Sequence, residues 1–163
     1  MITDTFDDDL KTHLQKFGWN PNRRIDVSEW TTKLSAEGLT NIPQFIEDLW
    51  AELGNLVITD GDHPNRLNRD RWLSWGCPHS TMVVDPVAAT RNAGGESVSD
   101  LIERSHSYGK RLFPFASHVE SFSTMVFSES GEFIDVANSQ FDIWGETPNQ
   151  GLKNWLFLLC YSK

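Results

Sequence analysis

The side chains best suited to chemistry lie in one irregular stretch in the middle of the chain. Cys77 and His79 are separated by a proline, and His63 lies upstream of them. A cysteine near histidines can be a nucleophile or a zinc ligand, but the common zinc sites use paired ligand spacings, and no second Cys/His pair occurs in this sequence. Asp60-Gly61-Asp62 could begin a calcium loop, yet the twelfth position is Arg71 instead of a carboxylate. The sequence therefore predicts no metal site and no cofactor.

Two common catalytic motifs are missing from the chain. There is no Gly-x-Ser-x-Gly nucleophile turn and no Gly-x-x-x-x-Gly-Lys-Ser/Thr loop for phosphates. The pair Gly94-Gly95 alone indicates a flexible loop, and the five histidines are scattered through different segments. We therefore expect a protein that is not an enzyme. A small enzyme that uses Cys77, His63 and His79 is the weakest of the alternatives.

Carboxylates dominate the last third of the chain. No lysine or arginine occurs from Leu112 to Leu152, whereas this segment contains Glu120, Glu129, Glu132, Asp135, Asp142 and Glu146. The pattern predicts a surface that carries carboxylates only. Such a surface attracts a basic partner, although scattered carboxylates also serve simply to solvate a protein.

The composition places further bounds on partners and location. The chain has 163 residues, a formal net charge of −9 and a pI of about 4.9. This charge disfavours nucleic acids and anionic membranes as partners and favours a basic protein. The N-terminus does not resemble a signal peptide, and no apolar run approaches the about 20 residues of a membrane span. Cys77 and Cys160 form no disulfide framework, so we expect a cytoplasmic protein. The expected oligomeric state is a monomer or a weak homodimer.

Helix and strand signals predict one α+β domain over residues 1–163. Three apolar-striped helices, each closed by a glycine, are expected before residue 55, and a fourth helix is expected to end at Gly109. Thr147 and Pro148 mark the start of a strongly apolar closing helix. Between these helices, the segment from Leu112 reads as consecutive strands.

A hairpin within this segment can be aligned residue by residue. Strands over 122–127 and 132–137 flank a Ser128–Gly131 turn, in which glycine tolerates a positive φ. If Phe127 lies opposite Glu132, Met125 shares one face with Ile134, and Val126 shares the other with Phe133 and Asp135. This alignment makes one face mainly apolar and predicts that helices cover only that side.

The order of these landmarks resembles that of the SUKH superfamily of immunity proteins, and specifically of its third subgroup. The resemblance spans about residues 14–159 and depends on order and spacing more than on any single motif. The residues that carry it are Gly18-Trp19, Pro21, Arg23-Arg24, Asp26, Trp30, Gly38, the helix from Ile42 to Leu53 with Gly54-Asn55-Leu56-Val57-Ile58 after it, Leu112-Phe113-Pro114, Gly131 and Trp144-Gly145.

The resemblance implies a non-enzymatic protein that protects a bacterium by binding the toxin domain of a polymorphic toxin. It also implies a curved, mainly antiparallel sheet packed against N-terminal helices and a C-terminal helix, with an open or concave sheet face as a common docking surface. Relatives neutralise toxins with several kinds of activity, often nucleases and deaminases, so membership of the family does not identify the target.

The residues themselves are consistent with this function. Toxins that handle nucleic acids carry basic clefts, which carboxylates complement. Trp72 and Trp75 would be aromatic anchors if they are exposed, and core residues if they are buried. The predicted partner-binding residues are Asp60, Asp62, Trp72, Trp75, Glu120, Glu129, Glu132, Asp135 and Asp142. The alternative function is a regulatory protein-interaction or ligand-binding module of the same fold without a toxin partner.

Overall fold

The fold is built on one antiparallel sheet whose six strands are adjacent in chain order. The computed structural model describes residues 1–61, 80–92, 94–137 and 140–157. The strands are β1 (Val57–Thr59), β2 (Thr81–Val83), β3 (Leu112–His118), β4 (Ser123–Ser128), β5 (Phe133–Ala137) and β6 (Gln140–Gly145). The sheet is open, since β1 and β6 lie at its two edges. Each pair of neighbouring described strands is antiparallel, which confirms the predicted mainly antiparallel sheet.

The helices precede, interrupt and follow the strands. A 3-10 helix spans Ile2–Thr5, and the α-helices are α1 (Asp8–Gln15), α2 (Ser28–Ala36), α3 (Gln44–Leu53), α4 (Pro86–Ala89), α5 (Val98–Tyr108) and α6 (Pro148–Phe157). The α+β prediction, with helices before the sheet and one after it, is confirmed. None of the described helices is long and apolar enough to cross a membrane.

The larger core lies between one sheet face and the helices α1, α3 and α6. Its centre is aromatic, because the rings of Phe115 and Phe127 pack edge to face with centroids 5.0 Å apart. The indole of Trp50 donates a hydrogen bond of 3.0 Å to the carbonyl of Pro114 and so fixes α3 to β3. Further buried members come from the helices, namely Leu10, Leu14, Ile46, Leu49, Leu152, Trp155 and Leu156.

A second, smaller core covers the opposite face of the sheet. Leu101 of α5 packs with Val126, Ile134 and Val136, all of which are buried. The prediction that helices cover only one side is therefore wrong. The reason is that α5 carries its own apolar stripe and folds back onto β3–β5, so both faces of the central strands are buried.

The register of the β4–β5 hairpin differs from the sequence prediction by one residue. Phe127 lies opposite Phe133, not Glu132, and Met125 lies opposite Asp135. The loop has three residues, because Ser128 accepts a hydrogen bond from the amide of Gly131 and donates its own amide to Glu132. Gly131, with φ of 96°, forms the bulge typical of three-residue hairpins. A shift of one residue moves a strand's side chains to the other face, so Phe133 and Asp135 join Met125 on the larger core's side.

Helix α6 approaches the sheet at backbone contact distance through two glycines. A Cβ on Gly151 would overlap the Cβ of Phe133, and a Cβ on Gly145 would overlap the backbone of Gly151. The helix begins as predicted, with the hydroxyl of Thr147 accepting a hydrogen bond from the amide of Gln150 at 3.3 Å. Because Gly151 packs directly on the Phe133 side chain and Gly145 on the backbone of Gly151, these contacts fix the height of the helix above the sheet.

We expect Gly151→Ala to lower the free energy of unfolding by about 1–3 kcal/mol, since the added methyl group overpacks the contact with Phe133. Alanine is otherwise the better helix former by about 1 kcal/mol, so a loss of stability isolates the steric effect. Urea denaturation provides the measurement. Gly109→Ala gives the comparison for backbone strain alone, because Gly109 has φ of 82° and no atom within 4 Å of an added Cβ. A Gly151→Ala protein as stable as the wild type would contradict this packing.

Candidate partner-binding site

Four polar side chains converge on the sheet face beneath α6. We call His118, Glu120, Asp135 and Asp142 the carboxylate cluster. The Nδ1 of His118 donates a hydrogen bond of 3.2 Å to Asp135 Oδ2, and its Nε2 lies 3.6 Å from Glu120 Oε2. His118 is only 5% exposed, so one imidazole is buried between two carboxylates.

The strand register brings these groups together. His118 lies at the end of β3 opposite Ser123, and Asp135 lies opposite Met125, so β4 separates the histidine from the aspartate. Ser123 has a small side chain, which leaves room for the two larger groups to meet above β4. The ring of Trp155 on α6 contacts the His118 ring edge to face, with centroids 5.2 Å apart. The height of α6 above the sheet therefore fixes the orientation of the imidazole.

The cluster concentrates negative charge. Asp142 lies directly opposite Asp135 across β5 and β6, an arrangement of like charges that destabilises a sheet. Burial, and next the charge of Asp135, raise the pKa of the Asp142 carboxyl. Asp135 is 9% exposed, and within the described chain its Oδ1 has no hydrogen-bond partner. These costs to the folded state indicate that the cluster is not optimised for stability alone.

The cluster does not form a nucleophilic triad. Ser123 lies opposite His118, but its hydroxyl is 2.7 Å from the hydroxyl of Ser121. A Ser–His–Asp triad requires a hydrogen bond between serine and histidine, and the described side chains do not supply one. Likewise, no group of three or more His, Cys, Asp or Glu side chains in residues 1–61, 80–92, 94–137 and 140–157 is arranged to hold a metal ion.

Asp60 follows the last residue of β1 and lies near Glu120 of the cluster. The amide of Ser80 donates a hydrogen bond of 3.3 Å to Asp60 Oδ1, and the adjacent amide of Thr81 donates one of 2.7 Å to Glu120 Oε2. Four of the predicted partner-binding residues, Asp60, Glu120, Asp135 and Asp142, thus extend across the sheet from edge strand β1 to edge strand β6, and of these only Asp135 and Asp142 pair directly.

Glu129 and Glu132 lie at the other end of β4, where cations accompany them. Lys110 Nζ is 2.9 Å from Glu132 Oε2, and the amide of Arg111 donates a hydrogen bond to Glu129. Burial alone would raise the pKa of Glu132, but hydrogen bonds from Lys110 and Ser128 outweigh it and lower that pKa. The segment from Leu112 to Leu152 contains no lysine or arginine, but Lys110 from outside this segment lies beside its carboxylates at this end of the sheet.

The remaining predicted residues, Asp62, Trp72 and Trp75, lie outside the described residues, as do Cys77, His63 and His79. Sequence reasoning missed the central place of His118, although His118 and Glu120 are two positions apart and so share a face of an extended chain. It also placed Phe122 inside β4, whereas the strand begins at Ser123.

We expect Asp142→Asn to stabilise the free protein at pH 7. The pKa of this carboxyl is raised in the folded state, so the charged form penalises folding once the pH exceeds the unfolded-state pKa. The gain should shrink as the pH is lowered from 7 through the raised folded-state pKa and the wild-type carboxyl becomes protonated. Urea denaturation across this pH range measures it. Glu103→Gln, at an exposed position of α5, is the control and should change little. Equal effects of the two substitutions would contradict the strain at Asp142.

Comparison with known protein families places this arrangement in context. The family model described as SUKH-3 immunity protein matches residues 6–156, which is most of the chain. Comparisons with curated proteins and with solved structures gave no match. The matched range includes every described strand and the whole carboxylate cluster. The chain therefore belongs to the SUKH-3 immunity protein family.

Proposed function

We propose that this protein protects its cell by binding a cognate polymorphic-toxin domain in a one-to-one complex that blocks the toxin's activity. The observation that carries the proposal is the SUKH-3 family match over residues 6–156. In this proposal the protein acts in the cytoplasm without catalysis, as a monomer or a weak homodimer. The toxin domain has a basic surface, as expected of a nuclease or a deaminase.

The carboxylate cluster supports a basic partner. Asp142 is exposed on edge strand β6, and the more buried Asp135 lies opposite it. Arginine or lysine side chains of a partner would relieve the repulsion between these two carboxylates. A group of like charges also attracts a complementary surface at a distance and speeds association.

The scaffold beneath the cluster suits tight inhibition. Two of its members project from paired strands, and Trp155 of α6 packs against His118. Side chains that are already ordered lose little entropy on binding, so more of the interaction energy contributes to affinity. Asp60 lies close enough to extend this surface, whereas Glu129 and Glu132 would form a separate contact at the other end of β4.

A groove at this other end favours the alternative of a ligand-binding or regulatory module. The groove has a volume of about 630 Å³ and lies between the α2–α3 turn, the end of α5 and the start of β3. Its polar lining includes His106, Lys110, Arg111 and Glu129. Arg111 already donates a hydrogen bond of 3.1 Å to the carbonyl of Asn41, so part of its binding capacity is used within the protein.

Co-expression with the toxin domain encoded by the neighbouring gene tests the function. We expect the wild-type protein to restore growth and to co-purify with a catalytically inactive toxin domain at a ratio of one to one. Continued cell death together with no complex would refute the proposal. A ligand-binding module would give that negative result.

Charge reversal at the two ends of the sheet tests the binding surface. We expect Asp142→Lys to slow association with the inactive toxin domain by about tenfold at low salt and to weaken the salt dependence of that rate. Glu129→Lys, at the opposite end of β4, is the matched reversal and should have a smaller effect. Biosensor kinetics at several salt concentrations provide the measurement. A larger effect of Glu129→Lys would move the interface to the groove end.

A further inference from the structure

A second surface stands out at the corner of the sheet formed by β1, β2 and the β3–β4 turn. Large hydrophobic side chains are exposed at few described positions, and three of them lie here. Val57 is 55% exposed, Val119 is 44% exposed and Phe122 is 62% exposed. We call these three residues the tip patch.

Strand alternation places the two valines on the face opposite the larger core. Ile58 and Met82 are fully buried, and the neighbouring His118 faces the carboxylate cluster. Val57 precedes Ile58, and Val119 follows His118. Both valines therefore point away from the larger core. The strands are joined here by the Val57–Val83 pairing and by a hydrogen bond of 2.9 Å from the amide of Val119 to the carbonyl of Thr81.

Phe122 completes the patch at the turn and has an unusual backbone. Its φ is 57°, in the left-handed region, where glycine and asparagine are the usual residues. A Cβ added to Gly94 would lie 3.4 Å from the Cβ of Phe122, so the aromatic residue adjoins Gly94, yet most of its surface faces solvent. A bulky residue in this conformation is strained, and its exposed ring gains little from burial. Neither the stability nor the solubility of the free protein accounts for a phenylalanine here.

Within the described segments, the charges around the tip patch are mainly negative. The described segments that form this corner, residues 55–61, 80–85 and 117–124, contain Asp60, Asp85 and Glu120 and no lysine or arginine. Arg91, on the adjacent turn, is 3.1 Å from a carboxylate oxygen of Glu37 on its other side. A partner that covers the corner would therefore complement it with apolar side chains at the centre and basic residues at the rim.

We propose that the tip patch is a hydrophobic docking site for the toxin domain, with Phe122 as the anchor that enters an apolar pocket bordered by lysine or arginine. This inference rests on the proposed function and adds the chemistry of the contact. An aromatic anchor at the centre with a polar rim is the usual make-up of an interface hot spot. Val119 follows His118 and points to the opposite face of the sheet, so the docking site is next to the carboxylate cluster along the chain but lies on the other face.

The test uses the inactive toxin domain that co-purifies with the wild-type protein. We expect Phe122→Asn to weaken its binding by about tenfold or more, mainly through faster dissociation. The same substitution should raise the melting temperature of the free protein by about 2 °C or more, because asparagine tolerates the left-handed backbone. Phe122→Tyr keeps both the ring and the strain, and should leave the affinity and the melting temperature close to wild type.

Val119→Thr is the second variant, with nearly the same shape and a hydroxyl in place of a methyl group. We expect it to weaken binding by about threefold without unfolding the protein. Wild-type affinity in both Phe122→Asn and Val119→Thr would overturn the docking site and leave the proposed function standing, since the wild-type complex is still formed. If the wild-type protein captures no toxin domain, the proposed function fails, and this inference fails with it.

Discussion

The contact between Gly151 of α6 and Phe133 of β5 is the constraint on which the rest of the structure depends. Gly151 has no side chain, so α6 packs directly on the Phe133 side chain at a fixed height above the sheet. At that height Leu152 and Leu156 enter the aromatic core, and Trp155 reaches His118. One glycine thus links the stability of the core to the geometry of the carboxylate cluster. The same glycine would be a poor choice for an isolated helix, which shows that tertiary packing outweighs helix propensity here.

The two candidate surfaces share a physical property, namely that each costs the free protein stability. Asp135 and Asp142 oppose each other across two strands, and burial raises the pKa of Asp142. Phe122 occupies a left-handed backbone conformation with its ring in solvent. Natural proteins tolerate such features where function requires them, and stabilising replacements at such sites commonly impair activity. Basic side chains of a partner would offset the first cost, and an apolar pocket around the ring would offset the second.

Much of the fold followed from local patterns, because helix stops, caps and apolar stripes act over a few residues. Gly109 ends α5 with a left-handed φ, and Thr147 with Pro148 begins α6, as the sequence predicted. The β4–β5 register was wrong by one residue, since a three-residue loop with a bulge at Gly131 and a four-residue turn have the same sequence signature. That error assigned Phe133 and Asp135 to the wrong face. The contact between Asp135 and His118 depends on strand pairing across β4, so it could not be predicted from local patterns. The left-handed backbone of Phe122 could not be predicted either, because phenylalanine rarely adopts this conformation and nothing in the neighbouring sequence indicates it.

The most direct test of the account is to map the interface by hydrogen–deuterium exchange, with and without the catalytically inactive toxin domain. Complex formation should slow exchange in residues 117–124 and 140–145, which contain the tip patch turn and the strand of Asp142. Exchange in residues 105–112, at the groove end of the sheet, should not change. Protection confined to residues 105–112 would contradict the account and place the partner at the groove.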